Sequence, residues 1–256
     1  MTVLAPFLMS TVPKSGTFLL HQLLTGMPNI SMDITDSEKK FFINWNLDPR
    51  SMYDDHKKRL RNLQANEFGL GHVGYTPRYA QMLRELKMKH VFLYRDPRDV
   101  LVSLNYFIKS KWKKHPFHEP FQHPNMTPKQ RMLKLLHGEK GVYPSFLAFA
   151  LPYYGWLNDP DTYAISYEDL RRSEASLRQT LLNLVQFLWK DADAPCSYEE
   201  IVSQMIANQN PKKSLTFRSG KIGDWKKEFD SELKETFKKE AGDLLILFGF
   251  EEDHFW

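Results

Sequence analysis

The segment with the clearest chemistry is Pro13-Lys14-Ser15-Gly16-Thr17, which follows an apolar run and precedes a helical pattern. After a strand and before a helix, backbone N–H groups and the helix N-terminus point at one spot and favour an anion. Lys14 adds a full positive charge, and Gly16 lets the backbone close around a ligand. Ser15 and Thr17 add hydroxyl donors. The spacing differs from that of the nucleoside triphosphatase P-loop, so the alternative is a turn that only starts a helix.

A second segment joins Arg95 to Ser103, which follows it by eight residues on the next predicted helix. Arg95 lies at the carboxyl end of an apolar strand pattern, which is the usual ligand edge of an α/β sheet. An arginine at that place needs a buried partner, and a phosphate can bind it through two hydrogen bonds. The alternative is a surface ion pair with Asp96 or Asp99.

A third segment, Phe217 to Lys226, reads FRSGKIGDWK and combines glycines, cations and a tryptophan. This composition indicates an irregular stretch that wraps an anion. A surface loop before the last helix is the alternative, because glycine and serine are common in turns.

The elements that must position these segments alternate between short apolar strands and amphipathic helices, which is the α/β pattern. Apolar runs predict strands at Val3–Val12, His90–Tyr94 and Tyr163–Tyr167. Helical periodicity and capping residues predict helices at Thr17–Leu24, Pro97–Ile108, about Glu174–Trp189, after Ser197 and after Asp230. Asp96 is expected to cap the second of these helices, with Pro97 at its first position.

Residues 110–141 differ in composition from the rest of the chain, because prolines alternate with histidines and aromatic residues. Such a stretch predicts a loop or lid over a site and no regular element. The spacing of His115, His118 and His123 suggests a metal site, but the prolines provide no helix or strand to orient the rings. We therefore expect no metal.

Composition excludes several classes of protein. With 256 residues, 42% hydrophobic and 26% charged, the chain is not disordered, collagen-like or a coiled coil. A single cysteine, Cys196, excludes an internal disulfide and fits a reducing compartment. No apolar run reaches the length of a membrane span, so we expect a mature, soluble, cytoplasmic protein. The net charge of +4 is too small to indicate nucleic-acid binding and suits a protein that binds one small polyanion in a pocket.

The three segments PKSGT, RDPRDVLVS and FRSGKIGDWK, in this order, resemble those of the sulfotransferases, most closely the cytosolic and bacterial type. That type uses 3′-phosphoadenosine 5′-phosphosulfate (PAPS). The resemblance runs from Pro13 to Lys226 and implies a single α/β domain over residues 1–256, with a central parallel sheet flanked by helices in a P-loop-kinase-like fold. It implies PAPS as co-substrate, no metal, and sulfuryl transfer to a hydroxyl or amine of a small, apolar or aromatic acceptor.

The resemblance also implies roles for single residues. The residues that would bind the 5′-phosphosulfate are Lys14, Ser15, Gly16 and Thr17. Those that would bind the 3′-phosphate are Arg95, Ser103, Arg218, Ser219 and Gly220. Tyr167 would lie beside the adenine. Lys14 would also assist the leaving phosphate, and His72, in Gly71-His72-Val73-Gly74, would be the general base that takes the proton of the acceptor.

Four departures from the family pattern affect these roles. Val73-Gly74 stands where leucine-proline is usual, and Leu70 stands where many animal members carry a second lysine. Leu19 replaces a tryptophan that stacks on adenine, and Ser219 replaces a lysine, a loss for which Lys221 would compensate.

Other functions stay open at this point. A nucleotide kinase shares the phosphate-binding loop but needs magnesium, and a non-catalytic nucleotide-binding protein would tolerate the departures. Glu67, or a carboxylate within Asp33–Glu38, could replace His72 as base. The acceptor pocket would draw on aromatic residues that serve equally well in a core: Phe41, Phe42, Trp45, Tyr75, Tyr106, Phe107, Trp112, Phe146 and Phe149. No nucleic-acid partner is expected, and the oligomeric state stays open.

Overall fold

A computed structural model describes residues 3–42, 49–111, 121, 125–213 and 219–256. The chain forms two compact units. The sheet unit comprises Met1–Tyr94 and Gly155–Ser214, and the helical unit comprises Arg95–Tyr154 and Leu215–Trp256. The single domain over residues 1–256 stays a prediction.

The sheet unit is built on a five-stranded sheet with the order β2-β3-β1-β4-β5, in which every pairing is parallel. The α/β class with a parallel sheet is therefore confirmed. The strands are β1 Phe7–Thr11, β2 Lys40–Phe42, β3 Phe68–His72, β4 Lys89–Tyr94 and β5 Thr162–Ser166. The helices are α1 Thr17–Thr25, α2 Pro49–Arg61, α3 Pro77–Glu85, α7 Tyr167–Arg171, α8 Glu174–Trp189 and α9 Tyr198–Ala207.

Alternation along β1 sends its side chains to two different cores. Phe7 and Met9 pack with the apolar residues of α1, α8 and α9 in one buried cluster. Ser10 points to the opposite face, where its Oγ lies 2.7 Å from Nε2 of the buried His90. The ring of Trp156 covers His90 there, with the two ring centroids 4.1 Å apart. Both faces of the sheet are covered, as parallel sheets require.

Two strands, β2 and β3, were not expected from the sequence. The run of β3, Phe-Gly-Leu-Gly-His, contains two glycines, which weaken a strand signal. They are required because β2 lies against them. A Cβ on Gly71 would stand 1.8 Å from the carbonyl oxygen of Phe41, so no other residue fits that position.

The helical unit contains α4 Pro97–Tyr106, α5 Pro128–His137, α6 Phe146–Ala150, α10 Trp225–Glu228, α11 Ser231–Ala241 and α12 Asp243–Leu247. Asp96 caps α4 as predicted, because its side chain accepts the N–H of Arg98. The expectation that residues 110–141 lack regular structure was wrong for α5. There Pro128 occupies the first turn, and Thr127 and Gln130 form a reciprocal capping box, so this proline starts a helix rather than breaking one.

The described part of the chain has no helix with the length and apolar character needed to cross a bilayer.

Candidate active site

The loop after β1 is a tight turn held by backbone hydrogen bonds. Its first residue, Val12, donates its N–H to the carbonyl of Leu93 in β4 at 3.0 Å, and Ser15 donates back to Val12 at 3.2 Å. Lys14 adopts a left-handed backbone with φ of 72°, which is uncommon for a residue with a side chain. The loop therefore closes on itself before α1 begins, as the sequence predicts for an anion-binding turn.

Gly16 connects this loop to α1 and is fixed by two constraints. Its φ is 104°, a conformation that L side chains rarely adopt. A Cβ at this position would also lie 2.7 Å from Cδ2 of Tyr167. As a glycine, Gly16 provides no side-chain cap for α1, so the first-turn N–H groups of that helix are left for another acceptor.

Ser15 and Thr17 supply the hydroxyl groups of the loop. Ser15 is fully buried, and its Oγ has no hydrogen-bond partner among the described residues. A buried hydroxyl normally has a partner, so this oxygen fits a ligand atom such as a phosphate oxygen. The Oγ1 of Thr17 lies 2.7 Å from the Oγ1 of Thr11, the last residue of β1. These residues thus fit the 5′ end of a phosphosulfate nucleotide.

His72 ends β3, and one of its ring nitrogens is held by Thr11. Nδ1 lies 2.9 Å from the Thr11 carbonyl oxygen and 3.0 Å from Thr11 Oγ1. The carbonyl can only accept, so Nδ1 carries the proton and Nε2 keeps a lone pair. Burial lowers the pKa of His72 to about 4, the Thr11 bond opposes this shift, and the positive charge of Lys14 adds to it. The imidazole is therefore neutral near pH 7 and able to accept a proton.

An exposed aromatic side chain lies next to this histidine. The ring of Phe42, at the end of β2, has its centroid 5.2 Å from that of His72, with 43% of its surface exposed. Leu70, two residues before His72, belongs to the buried cluster of the sheet unit. Leu70, one of the departures from the family pattern, is thus a core residue in this chain.

In the helical unit, Arg95 contacts Lys221 of the third segment and Asp99 of α4. Its Nη2 donates to the Lys221 carbonyl at 2.7 Å and lies 3.2 Å from Oδ2 of Asp99. The ion pair weighed as an alternative therefore forms, but it is buried, with Arg95 only 8% exposed. Asp99 also accepts the N–H groups of Gly223 at 2.8 Å and Trp225 at 3.0 Å. One carboxylate of α4 thus binds both Arg95 and the backbone of residues 223–225.

The remaining residues predicted at the 3′-phosphate have different outcomes. Ser103 is a partly exposed residue of α4. The hydroxyl of Ser219 donates to the carboxylate of Asp224, and Gly220 adopts a φ of 67°. Arg218 lies outside the described residues. The sequence singled out neither Thr11 nor the anchoring role of Asp99. Asp99 stood within the second segment, where it was considered only as a competitor for Arg95.

Over residues 3–42, 49–111, 121, 125–213 and 219–256, no group of three or more histidine, cysteine, aspartate or glutamate side chains is arranged to hold a metal ion. His115, His118 and His123, which the sequence suggested for such a site, lie outside those ranges.

The family model described as "Sulfotransferase domain" matches residues 4–249 of the chain. The chain belongs to the sulfotransferase family. It is 26% identical to the amine sulfotransferase of Oryctolagus cuniculus, over 90% of this chain and 77% of that protein. It is 25% identical to the 3-alpha-hydroxysteroid sulfotransferase of Cavia porcellus, over 94% of this chain and 86% of that protein.

The fold of this sulfotransferase is also that of solved sulfotransferase structures. Mouse sulfotransferase SULT7A1, complexed with PAP, superposes with a TM-score of 0.62 at 17% identity, covering 96% of this chain and 88% of that chain. Retinol dehydratase in complex with androsterone and PAP superposes with a TM-score of 0.59 at 18% identity, covering 94% and 80%.

The predicted site residues of this sulfotransferase divide between the two units. The sheet unit contains Lys14, Ser15, Gly16, Thr17, His72 and Tyr167, and the helical unit contains Arg95, Ser103, Ser219 and Gly220. Within the sheet unit, the structure brings Gly16 together with Tyr167, and His72 together with Thr11. Within the helical unit, it brings Arg95 together with residue 221.

Proposed function

We propose that this sulfotransferase transfers the sulfuryl group of PAPS to a hydroxyl or amine of a small acceptor, with His72 as general base. The observation that supports the proposal most directly is the hydrogen bond from Nδ1 of His72 to the Thr11 carbonyl. This histidine also lies close enough to Lys14 for its charge to affect the imidazole. It leaves Nε2 unprotonated beside a loop that suits a phosphosulfate.

The step balances as an in-line displacement at sulfur. The acceptor oxygen or nitrogen forms a bond to sulfur, while the bond between sulfur and the bridging phosphate oxygen breaks. The acceptor proton moves to Nε2 of His72. The electron pair stays on the phosphate of 3′-phosphoadenosine 5′-phosphate (PAP), where the charge of Lys14 and the N–H groups at the start of α1 stabilise it.

A pKa of about 4 makes the imidazole of the unliganded enzyme a weak base, and we expect bound PAPS to raise this pKa. The phosphosulfate brings negative charge next to Lys14, whose own charge helps to lower the pKa of His72. A nearby negative charge favours the protonated imidazole and raises its pKa. The base is thus strengthened when the donor is bound.

The acceptor is proposed to be apolar or aromatic at the end that reacts. The half-exposed ring of Phe42 beside His72 supports this, because an aromatic face packs well against another ring. The names of the amine and hydroxysteroid sulfotransferases fit a nitrogen or an oxygen nucleophile on such a molecule.

The nucleotide roles, the single domain over residues 1–256 and the lid at 110–141 are parts of the same proposal. Lys14, Ser15, Gly16 and Thr17 would hold the 5′-phosphosulfate, Tyr167 the adenine, and Arg95, Ser103, Arg218, Ser219 and Gly220 the 3′-phosphate. We also propose cytoplasmic localisation, supported by the single free cysteine, and a transfer that needs no metal.

The testing experiment is a calorimetric titration of the protein with PAP, with adenosine 5′-phosphate and with ATP plus magnesium. Micromolar binding of PAP that is lost without the 3′-phosphate would support the donor site. Binding of ATP with magnesium alone would favour a kinase, and binding of none would contradict an active enzyme. Transfer from PAPS to a panel of phenols, alcohols and amines should then persist in EDTA.

A further inference from the structure

Arg98, three residues after Arg95, is a buried cation with two acidic partners within the helical unit. It is 4% exposed. Its Nε and Nη2 bind the carboxylate of Asp96 at 3.0 and 2.8 Å, and its Nη1 binds Oε1 of Glu251 at 2.5 Å. Such a planar fork holds both carboxylates in fixed directions. All three side-chain nitrogens of Arg98 thus bind these two partners, which gives this residue a structural role.

Two tryptophan rings cover the Arg98 guanidinium. Its Cζ lies 4.0 Å from the centroid of Trp225 and 4.5 Å from the centroid of Trp256. The two rings meet at 86° with centroids 5.5 Å apart, so they form a corner over the cation. Residues 251–256 therefore reach Arg98 twice, through the Glu251 carboxylate and through the Trp256 ring.

Trp225 links this corner to the segment beside Arg95. Its N–H donates to Oδ1 of Asp99, whose Oδ2 accepts the N–H of Gly223 and pairs with Arg95. The segment 219–225 is thus held at its end by two attachments, the Asp99 carboxylate on the backbone and the Arg98–Trp256 corner on the Trp225 ring. The Lys221 carbonyl contacts Arg95 only while the segment keeps this course.

We propose that Glu251 and Trp256 are positioning residues for the 3′-phosphate of the nucleotide. They fix Arg98, Arg98 fixes Trp225, and Trp225 fixes the loop that carries Ser219 and Gly220 next to Arg95. The inference rests on the proposed function, since it takes Arg95 and that loop as the 3′-phosphate site. It extends the site to residues that touch no nucleotide.

The test compares two nucleotides that differ only in the 3′-phosphate. Trp256→Ala should weaken PAP binding by about tenfold, the order expected for a lost, partly buried cation–π contact. It should leave the binding of adenosine 5′-phosphate within twofold. Trp256→Phe should restore most of the PAP affinity, because a smaller ring still covers the guanidinium. The control is Phe255→Ala, since Phe255 is 94% exposed and should change neither affinity.

The outcomes separate the inference from the function it rests on. Equal weakening of both nucleotides in Trp256→Ala, or unchanged PAP binding, would overturn the positioning role while the donor site stands. A wild-type protein that binds the two nucleotides equally would overturn both. If Trp256→Ala does not fold, as judged by its thermal transition, Glu251→Gln makes the same test, because it removes one charge-assisted bond to Arg98 and leaves both rings in place.

Discussion

Thr11 binds His72 at one ring nitrogen through two different atoms, its carbonyl oxygen at 2.9 Å and its hydroxyl at 3.0 Å. The same hydroxyl lies 2.7 Å from that of Thr17, the first residue of α1. The last residue of β1 therefore connects the proposed base to the proposed phosphate-binding residues. A shift of β1 or of α1 would therefore change the orientation of the His72 imidazole.

Replacing the proposed base tests this arrangement most directly. His72→Ala should lower kcat by about 10²–10⁴-fold, because no other group is then in place to take the acceptor proton. PAP affinity should stay within a few-fold. The control is His137→Ala, because the side chain of His137 is 54% exposed in the helical unit. Wild-type turnover in the His72 variant would remove this residue as the base and leave a carboxylate such as Glu67.

The pH dependence should differ between the free and the donor-bound enzyme. The neutral imidazole is the active form, so kcat/KM should be flat at neutral pH and fall as the pH drops through about 4, the pKa of the free His72. The acidic limb of the kcat profile should lie at higher pH than that of kcat/KM, since bound phosphosulfate raises the pKa of His72. Thr11→Val, which removes the hydroxyl but keeps the carbonyl, should lower kcat only modestly. Coincident limbs for kcat and kcat/KM would contradict the effect of the donor.

Arg95→Ala should weaken PAP by about 2–5 kcal/mol, as expected when a buried, charge-assisted contact is lost. Part of this loss will come from Asp99, which keeps its bonds to Gly223 and Trp225 but loses its cation. Calorimetry with PAP measures it, and Lys227→Ala, at an exposed position nearby, should have no effect. Unchanged PAP affinity in the Arg95 variant would refute the 3′-phosphate assignment.

Gly16→Ala should both destabilise the protein and abolish donor binding. The new Cβ would stand 2.7 Å from the Tyr167 ring, and the φ of 104° would strain any L residue. Gly249→Ala is the matched control, because its φ of 75° carries the strain while nothing lies within 4 Å of the added Cβ. We expect the control to cost about 1 kcal/mol and Gly16→Ala to cost more. Thermal unfolding compares them, and equal costs would mean that the Tyr167 contact is harmless.

The buried His90 should make the protein sensitive to acid. Burial lowers the pKa of His90 to about 3, below its ordinary value of 6.5 in an unfolded chain. The unfolded state then binds more protons, so stability is complete above about pH 6.5 and is lost as the pH falls toward 3. The melting temperature should drop between pH 7 and 5. His90→Gln, which keeps polar atoms between Ser10 and Thr162, should flatten that slope, and an unchanged slope would assign it to other groups.

The sequence was most informative where apolar runs are long and capping residues are clear. It predicted β1, β4 and β5 to within a few residues and α8 at its observed ends. It missed β3 because Gly69 and Gly71 interrupt the apolar run. Their presence depends on Phe41 in β2, a contact between distant parts of the chain that no local pattern contains.

The site was predictable only where one segment carries several ligand groups. The loop at Lys14 and the Arg95 segment are recognisable by their composition, whereas a single threonine at the end of a strand, Thr11, carries no functional signal in the sequence. Its role depends on β1 and β3 being neighbours, with Ser10 opposite Gly71. Asp99 shows a further limit, because a carboxylate next to an arginine indicates an ion pair and does not show which backbone it anchors.

The place of β1 in the sheet has a consequence for biosynthesis. Although β1 precedes the other four strands of the sheet in the chain, it lies in the middle of the sheet, between β3 and β4, and its loop is closed by the bond from Val12 to Leu93. A nascent chain that has emerged only through α2 has no strand for β1 to pair with on the β4 side. Its apolar residues are therefore not fully covered until the chain through residue 94 has emerged from the ribosome, which exposes them to aggregation during that interval.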